Sequence, residues 1–169
     1  TATTGNNGMN GGGDHGMESK NFPVDYNVEG MKVGYKWFEA KDEKPLFPFG
    51  FGLSYANFAY SGLTVTPGAE SVSFEVKNTG ARAGDEIAEV YVRLPKSADE
   101  PFEKLVGFER VSLAAGESKT VTVSIRPLYL KVFSTEKNGW ERLAGDYRFE
   151  VGGSSVELPL KAEVSLSAE

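Results

Sequence analysis

The chain has 169 residues, 40% of them hydrophobic and 25% charged, with a formal net charge of -6. This suits one ordinary domain, or one domain with a piece of another, and speaks against nucleic acid as a partner, since the eighteen basic residues are scattered rather than gathered in a stripe. The absence of cysteine excludes a disulfide scaffold, a cysteine zinc site and a thiol nucleophile, and no run approaches the roughly 18 to 20 apolar residues of a membrane span.

The first region runs from residue 1 to about residue 27. Six glycines fall in its first sixteen positions, with Asn6, Asn7 and Asn10 among them. Such a segment has high backbone entropy and little to bury, which predicts a surface loop. A phosphate-cradling role would need a strand before it and a helix after it, and neither pattern is present. His15, the single histidine, has Asp14 and Glu18 nearby. One imidazole and two carboxylates in a glycine loop make a weak metal signal, so His15 reads as solvated. "TATTGNNGMN" has no initiating Met and no basic-then-apolar leader, and looks like the middle of something longer, either a processed chain or an excised piece. No Asn-x-Ser/Thr sequon is found, which fits a bacterial source. The compartment stays open, with periplasm or secretion preferred to cytoplasm.

Residues 28–40, "VEGMKVGYKWFEA", place Val28, Met31, Tyr35 and Phe38 at spacings of three, four and three. That predicts one face of a short helix over 28–38, widened by Trp37. Gly30 and Gly34 weaken such a helix by about 1 kcal/mol each relative to Ala. Tyr35, Trp37 and Phe38 read as packing residues, with stacking on sugar rings as the sharper alternative.

"KPLFPFGFGLSY" follows, from Lys44 to Tyr55. Its prolines and glycines suit neither a strand nor a helix. Its aromatics, Phe47, Phe49, Phe51 and Tyr55, do not suit a solvated linker.

Beyond Tyr55 the period changes to two. "SVSFEVKN" alternates Val72, Phe74 and Val76 with polar residues. "IAEVYVRL" sets Ala88, Val90, Val92 and Leu94 against Ile87, Glu89, Tyr91 and Arg93. "KTVTVSIR" and "DYRFEVGG" continue the pattern with Val121, Val123 and Ile125, and with Tyr147, Phe149 and Val151. Turn signals such as "TPGAE", "LAAGES" and "EKNGWE" separate the runs. Strands at this spacing without intervening helices predict an antiparallel sandwich over about 56–166, close to the roughly 100 residues of immunoglobulin-like and fibronectin type III folds. The expected fold class is therefore mainly β: a sandwich preceded by a loop-rich segment with one short helix. "NGW" reads as a hairpin turn followed by an inward Trp140.

Several of these stretches carry a resemblance. "EGMKVGYKWFEAKDEKPLFPFGFGLSYANFAYS" resembles the C-terminal junction of the family 3 glycoside hydrolases, the β-glucosidases and their β-xylosidase relatives, with Ala56 where that family usually has Thr. "VSFEVKNTGARAGDEIAEVYVRLP", "KLVGFERVSLAAGESKTVTVSI" and "GDYRFEVGGSS" resemble the family's fibronectin type III-like domain. The resemblance covers about residues 22–160. It implies that 1–43 is the tail end of an α/β sandwich domain, 44–55 the interdomain junction and 56–169 the fibronectin-like sandwich. It also implies that Tyr35, Trp37, Phe38, Phe47, Phe49, Phe51 and Tyr55 line a domain-domain seam.

The resemblance further implies retaining hydrolysis of a terminal β-linked sugar, which needs two carboxyl groups about 5 to 5.5 Å apart. In that family the nucleophile lies in a Ser-Asp-Trp-type motif of an N-terminal barrel, and the acid/base lies well before the junction. Neither the Ser-Asp-Trp nor the Lys-His-Phe motif occurs in this chain. The chain is thus expected to hold no catalytic, substrate-binding or metal site and no cofactor, and to be inactive alone. Glu29 is expected to stabilise a helix start. The implied partners are the barrel and α/β sandwich domains, in the same polypeptide or as a separate chain, and a β-glucoside reached through them; neither nucleic acid nor membrane is implied. A homodimer stays open, as does the choice between glucoside and xyloside. A second reading is a carbohydrate-binding module with Tyr129, Phe133 and Trp140 as a stacking patch, and a third is an adhesive sandwich.

Overall fold

A computed structural model describes Val28 and residues 30–169. The Gly/Asn-rich run, His15 and Glu29 lie outside the described residues. The first element is a single short helix, α1 (Tyr35–Ala40). Nine strands follow: β1 (Phe58–Val65), β2 (Ser71–Asn78), β3 (Gly84–Arg93), β4 (Lys104–Leu113), β5 (Ser118–Ser124), β6 (Val132–Ser134), β7 (Gly139–Glu141), β8 (Gly145–Gly152) and β9 (Leu160–Leu166).

The strands form two antiparallel sheets, in the orders β1-β2-β5 and β4-β3-β8-β9, with β6-β7 as a separate ribbon. This is the β-sandwich expected from the alternation. Val72, Phe74, Val76, Val121 and Val123 from one sheet meet Ala88, Val90, Val92, Phe149 and Val151 from the other in one buried core. Period two places these residues on the inner faces because successive side chains of a strand point oppositely. Two polar side chains inside the sandwich are satisfied. Asn78 Nδ2 donates to the carbonyls of Arg82 (2.8 Å) and Leu113 (3.2 Å). The Tyr147 hydroxyl, inside the core, donates to Leu143 O at 2.9 Å.

Two strands break the simple period. In β4 the pairing shifts between Val90↔Gly107 and Tyr91↔Leu105, so Val106 is an extra residue. In β1 the register shifts between Ser61 and Thr64. Each bulge reverses which parity faces the core.

The helix differs from the expected 28–38. Gly34 has φ 63 and ψ -130, a conformation outside the helical region, and serves as its N-cap. The hydrophobic spacing therefore extends past the backbone that could realise it, and Met31 and Val33 are left exposed. Among the described residues no helix is long and apolar enough to cross a membrane.

Candidate functional site

The outward-facing residues of β3 are not a solvated face. Glu89 and Tyr91 are buried, although both belong to the outer parity of the strand. They are covered by α1 and the segment that follows it. The Tyr35 ring lies 5.6 Å from Tyr91 in an edge-to-face arrangement at 83° and 5.6 Å from Phe49 on its other side. Such pairs add to the stabilisation given by burial itself. The Leu105 amide donates to the Tyr35 hydroxyl at 2.9 Å. Further along, the Ser155 amide donates to Phe49 O at 2.9 Å, which fixes the segment to the turn after β8.

Gly50 makes the closest approach. A Cβ there would lie 2.6 Å from Glu89 Oε2, and its φ of 83 is one that side-chain-bearing residues avoid. Beneath it the Tyr91 hydroxyl donates to Glu89 Oε2 at 2.7 Å. Burial raises the Glu89 carboxyl above its usual range, and this hydrogen bond opposes that shift.

An ionic knot completes the attachment. Arg93 on β3 bonds three carboxylates from three different places in the chain: Glu39 of α1 at 2.5 Å, Glu103 before β4 at 3.1 Å and Glu150 of β8 at 3.1 Å. Glu39 Oε2 also accepts the Glu103 amide at 3.0 Å, and Lys161 of β9 supports Glu150 at 2.7 Å. Burial, then the adjacent Glu39 charge, pushes the Glu103 carboxyl up to about 8. Burial also pushes Glu150 upward, but Lys161 and Arg148 outweigh it and hold Glu150 below the usual range. A carboxyl poised near neutrality is the signature of a general acid, but structural ion-pair networks produce it too. Glu103 is the second kind. Its side chain is buried and is engaged by Arg93, and its backbone amide is held by Glu39, as members of one ionic network. Among the described residues no group of three or more His, Cys, Asp or Glu side chains is placed to hold a metal ion.

The outer side of the segment is bare. Phe47 and Phe51 pack on each other with centroids 5.3 Å apart, yet remain 65% and 50% exposed, and Tyr55 is 90% exposed. Leu46 and Leu53 project beside them. On α1, Phe38 is exposed, while Trp37 lies under the Lys41 ammonium at 4.9 Å. Of the seven residues expected at a seam, Tyr35 and Phe49 meet each other on the sandwich and Phe47 and Phe51 form a pair. Trp37, Phe38 and Tyr55 stand apart.

Residues 86–155 match the fibronectin type III-like domain. Thermostable β-glucosidase B of Acetivibrio thermocellus is 38% identical over 166 residues, which take in 91% of this chain but 22% of that protein. Probable β-glucosidase M of Aspergillus niger is 34% identical, over 86% of this chain and 22% of its own length. A crystal structure of a family 3 β-glucosidase from Bifidobacterium adolescentis superposes with a TM-score of 0.79 at 38% identity, covering 84% of this chain and 22% of that one. The chain corresponds to the C-terminal portion of the family 3 β-glucosidases, with a fibronectin type III-like domain over residues 86–155. It spans about a fifth of the length of the relatives it matches, 22% in each of the two proteins above.

Within this β-glucosidase portion, sequence reasoning missed the knot. Arg93, Glu103 and Glu150 sit in three separate stretches, and only the pairing of β3 with β8 and the docking of α1 bring them to Glu39. The one signal was an Arg and a Glu at outward positions of adjacent strands. The β6-β7 ribbon also corrects an expectation. Asn138 takes φ 47 in the turn, as "NG" suggests, but Trp140 faces outward. Val132 packs against the core, so alternation sends its neighbour Phe133, and Trp140 opposite it, away from the core.

Proposed function

We propose that this chain is the structural module of a retaining β-glucosidase. Hydrolysis of terminal β-D-glucosyl residues would be performed by parts of the enzyme outside it, and residues 46–55 would be the face on which those parts rest. The observation that carries the reading is the two-sided character of the segment. Its inner side is fixed to the sandwich through Tyr35, Phe49 and Gly50, while Phe47, Phe51, Leu53 and Tyr55 stay exposed. Contiguous exposed apolar residues on a well-anchored scaffold mark an interaction surface. Relatives about four to five times as long, each covered to 22%, supply the natural occupant.

The test is limited proteolysis of the full-length protein. The segment from Pro45 to Gly52 should resist cleavage there, and Phe47→Ser with Phe51→Ser should open it and lower turnover of an aryl β-glucoside. Rapid cutting of the wild-type segment would rule the reading out. So would a concentration-dependent dimer of the full-length protein that buries the strip between two copies.

A further inference from the structure

A second aromatic feature lies on a different part of the fold. Phe133 of β6 and Trp140 of β7 are direct cross-strand partners. Their rings are 5.6 Å apart at 77°, and the residues remain 49% and 55% exposed. We infer that this outward corner of the β6-β7 ribbon is a glycan-stacking site that takes a neutral, β-linked glucan chain.

The ribbon is built as a rigid support. At its base Arg142 and Glu169 exchange both backbone hydrogen bonds, at 3.1 and 3.0 Å, and Arg142 Nε donates to Ser167 O at 3.0 Å. A cross-strand aromatic pair stabilises a short ribbon, but that role does not require either ring to face solvent.

Size decides against a protein partner. Two aromatic side chains of about 150–250 Å² each, half covered already, leave roughly 200 Å² free. A stable protein interface needs about 800 Å² a side. A free area of that size suits a ring-sized apolar ligand, and the flat face of a pyranose is one.

Charge decides against an ionic ligand. Lys137, in the turn before β7, pairs with Glu141, and Lys131 and Arg142 pair with Glu169 at 3.7 and 3.5 Å. The cations around the corner are thus matched locally. Asn138, exposed in the turn, carries an amide able to exchange hydrogen bonds with sugar hydroxyls. Tyr129 is not part of the corner's pair; the Arg126 guanidinium lies 5.7 Å from its ring. The choice of a β-linked glucan, rather than another neutral glycan, rests on the β-glucosidase reading above.

Affinity electrophoresis of the full-length protein through gels containing soluble mixed-linkage β-glucan tests the site. Wild type should be retarded, Trp140→Ala should weaken retention about tenfold, a loss typical of one stacking contact, and Trp140→Phe should keep most of it. Turnover of an aryl β-glucoside, read in parallel, should be unchanged in both variants. Equal retardation of wild type and Trp140→Ala, or none of either, overturns the site. Loss of retention in Trp140→Phe as well as Trp140→Ala would also overturn stacking as its basis. A wild-type protein that is retarded but never turns over the glucoside would count against the β-glucosidase reading and leave the site standing.

Discussion

The sandwich and the segment in front of it handle apolar surface in opposite ways. The sandwich closes on itself: Val72, Phe74, Val90, Phe149 and Val151 are almost wholly buried, and all their neighbours come from the same fold. Residues 35–55 bury one side and present the other. Their attachment uses few apolar contacts and many polar ones: the Tyr35 hydroxyl, the Phe49 carbonyl and the four-membered knot around Arg93. A polar attachment holds an element in one orientation without demanding that it be covered on every side. That is the property a junction needs if its free face is to meet something else.

The sharpest test of this contrast compares a core aromatic with a junction aromatic. Phe74→Ala should cost about 3–5 kcal/mol, the usual loss for a buried Phe. In this chain alone Phe47→Ala should cost less than about 0.5 kcal/mol, because Phe47 is already mostly in solvent. Urea midpoints of the two variants measure the difference. Comparable losses would mean that the junction belongs to the sandwich core.

The next effect is at the knot. Arg93→Leu leaves Glu39, Glu103 and Glu150 without their shared cation, and breaking a largely buried ion pair costs about 3 kcal/mol. Loss of helicity at Tyr35–Ala40 with the sandwich intact, seen by backbone chemical shifts, is the expected pattern.

Glu103 then gives the knot a pH dependence. Its folded value, about 8, lies above the ordinary 4.5, so between those limits the folded state binds more protons than the unfolded state. The stability contributed by this group is therefore present below about 4.5 and lost as pH rises through about 8. Glu103→Gln should flatten that part of the stability profile. A profile of unchanged slope in the variant would show that Glu103 ionises normally.

How much of this was legible beforehand follows from whether a feature is local. β2, β3, β5 and β8 alternate cleanly, and β9 does too, with Leu160, Ala162, Val164 and Leu166. β4 does not, because the bulge at Val106 puts Phe108 outside and Val106 inside. The aromatic composition of 44–55 marked the stretch as something other than a solvated linker. It could not say which aromatics turn inward; that depends on Gly50 passing over Glu89. The outward Trp140 was hidden for a similar reason. Its direction is set by Val132 on the partner strand rather than by its own neighbours.

The smallest effect is the most specific to how the junction is held. Tyr35→Phe keeps the ring between Phe49 and Tyr91 and removes only the oxygen that accepts the Leu105 amide. Net loss of one such hydrogen bond costs about 1 kcal/mol. A fall of that size in overall stability could have many causes, so the useful measurement is amide exchange at Leu105. This residue pairs with Tyr91 at the β4 bulge, where the regular ladder is interrupted, and the Tyr35 hydroxyl takes its amide from outside the sheet. Exchange at Leu105 should quicken several-fold in Tyr35→Phe, while amides of β2 and β8 keep their protection. If Leu105 exchanged at the wild-type rate, the sheet alone would be holding it. The junction would then rest on the sandwich by ring packing and the ionic knot, without this hydrogen bond.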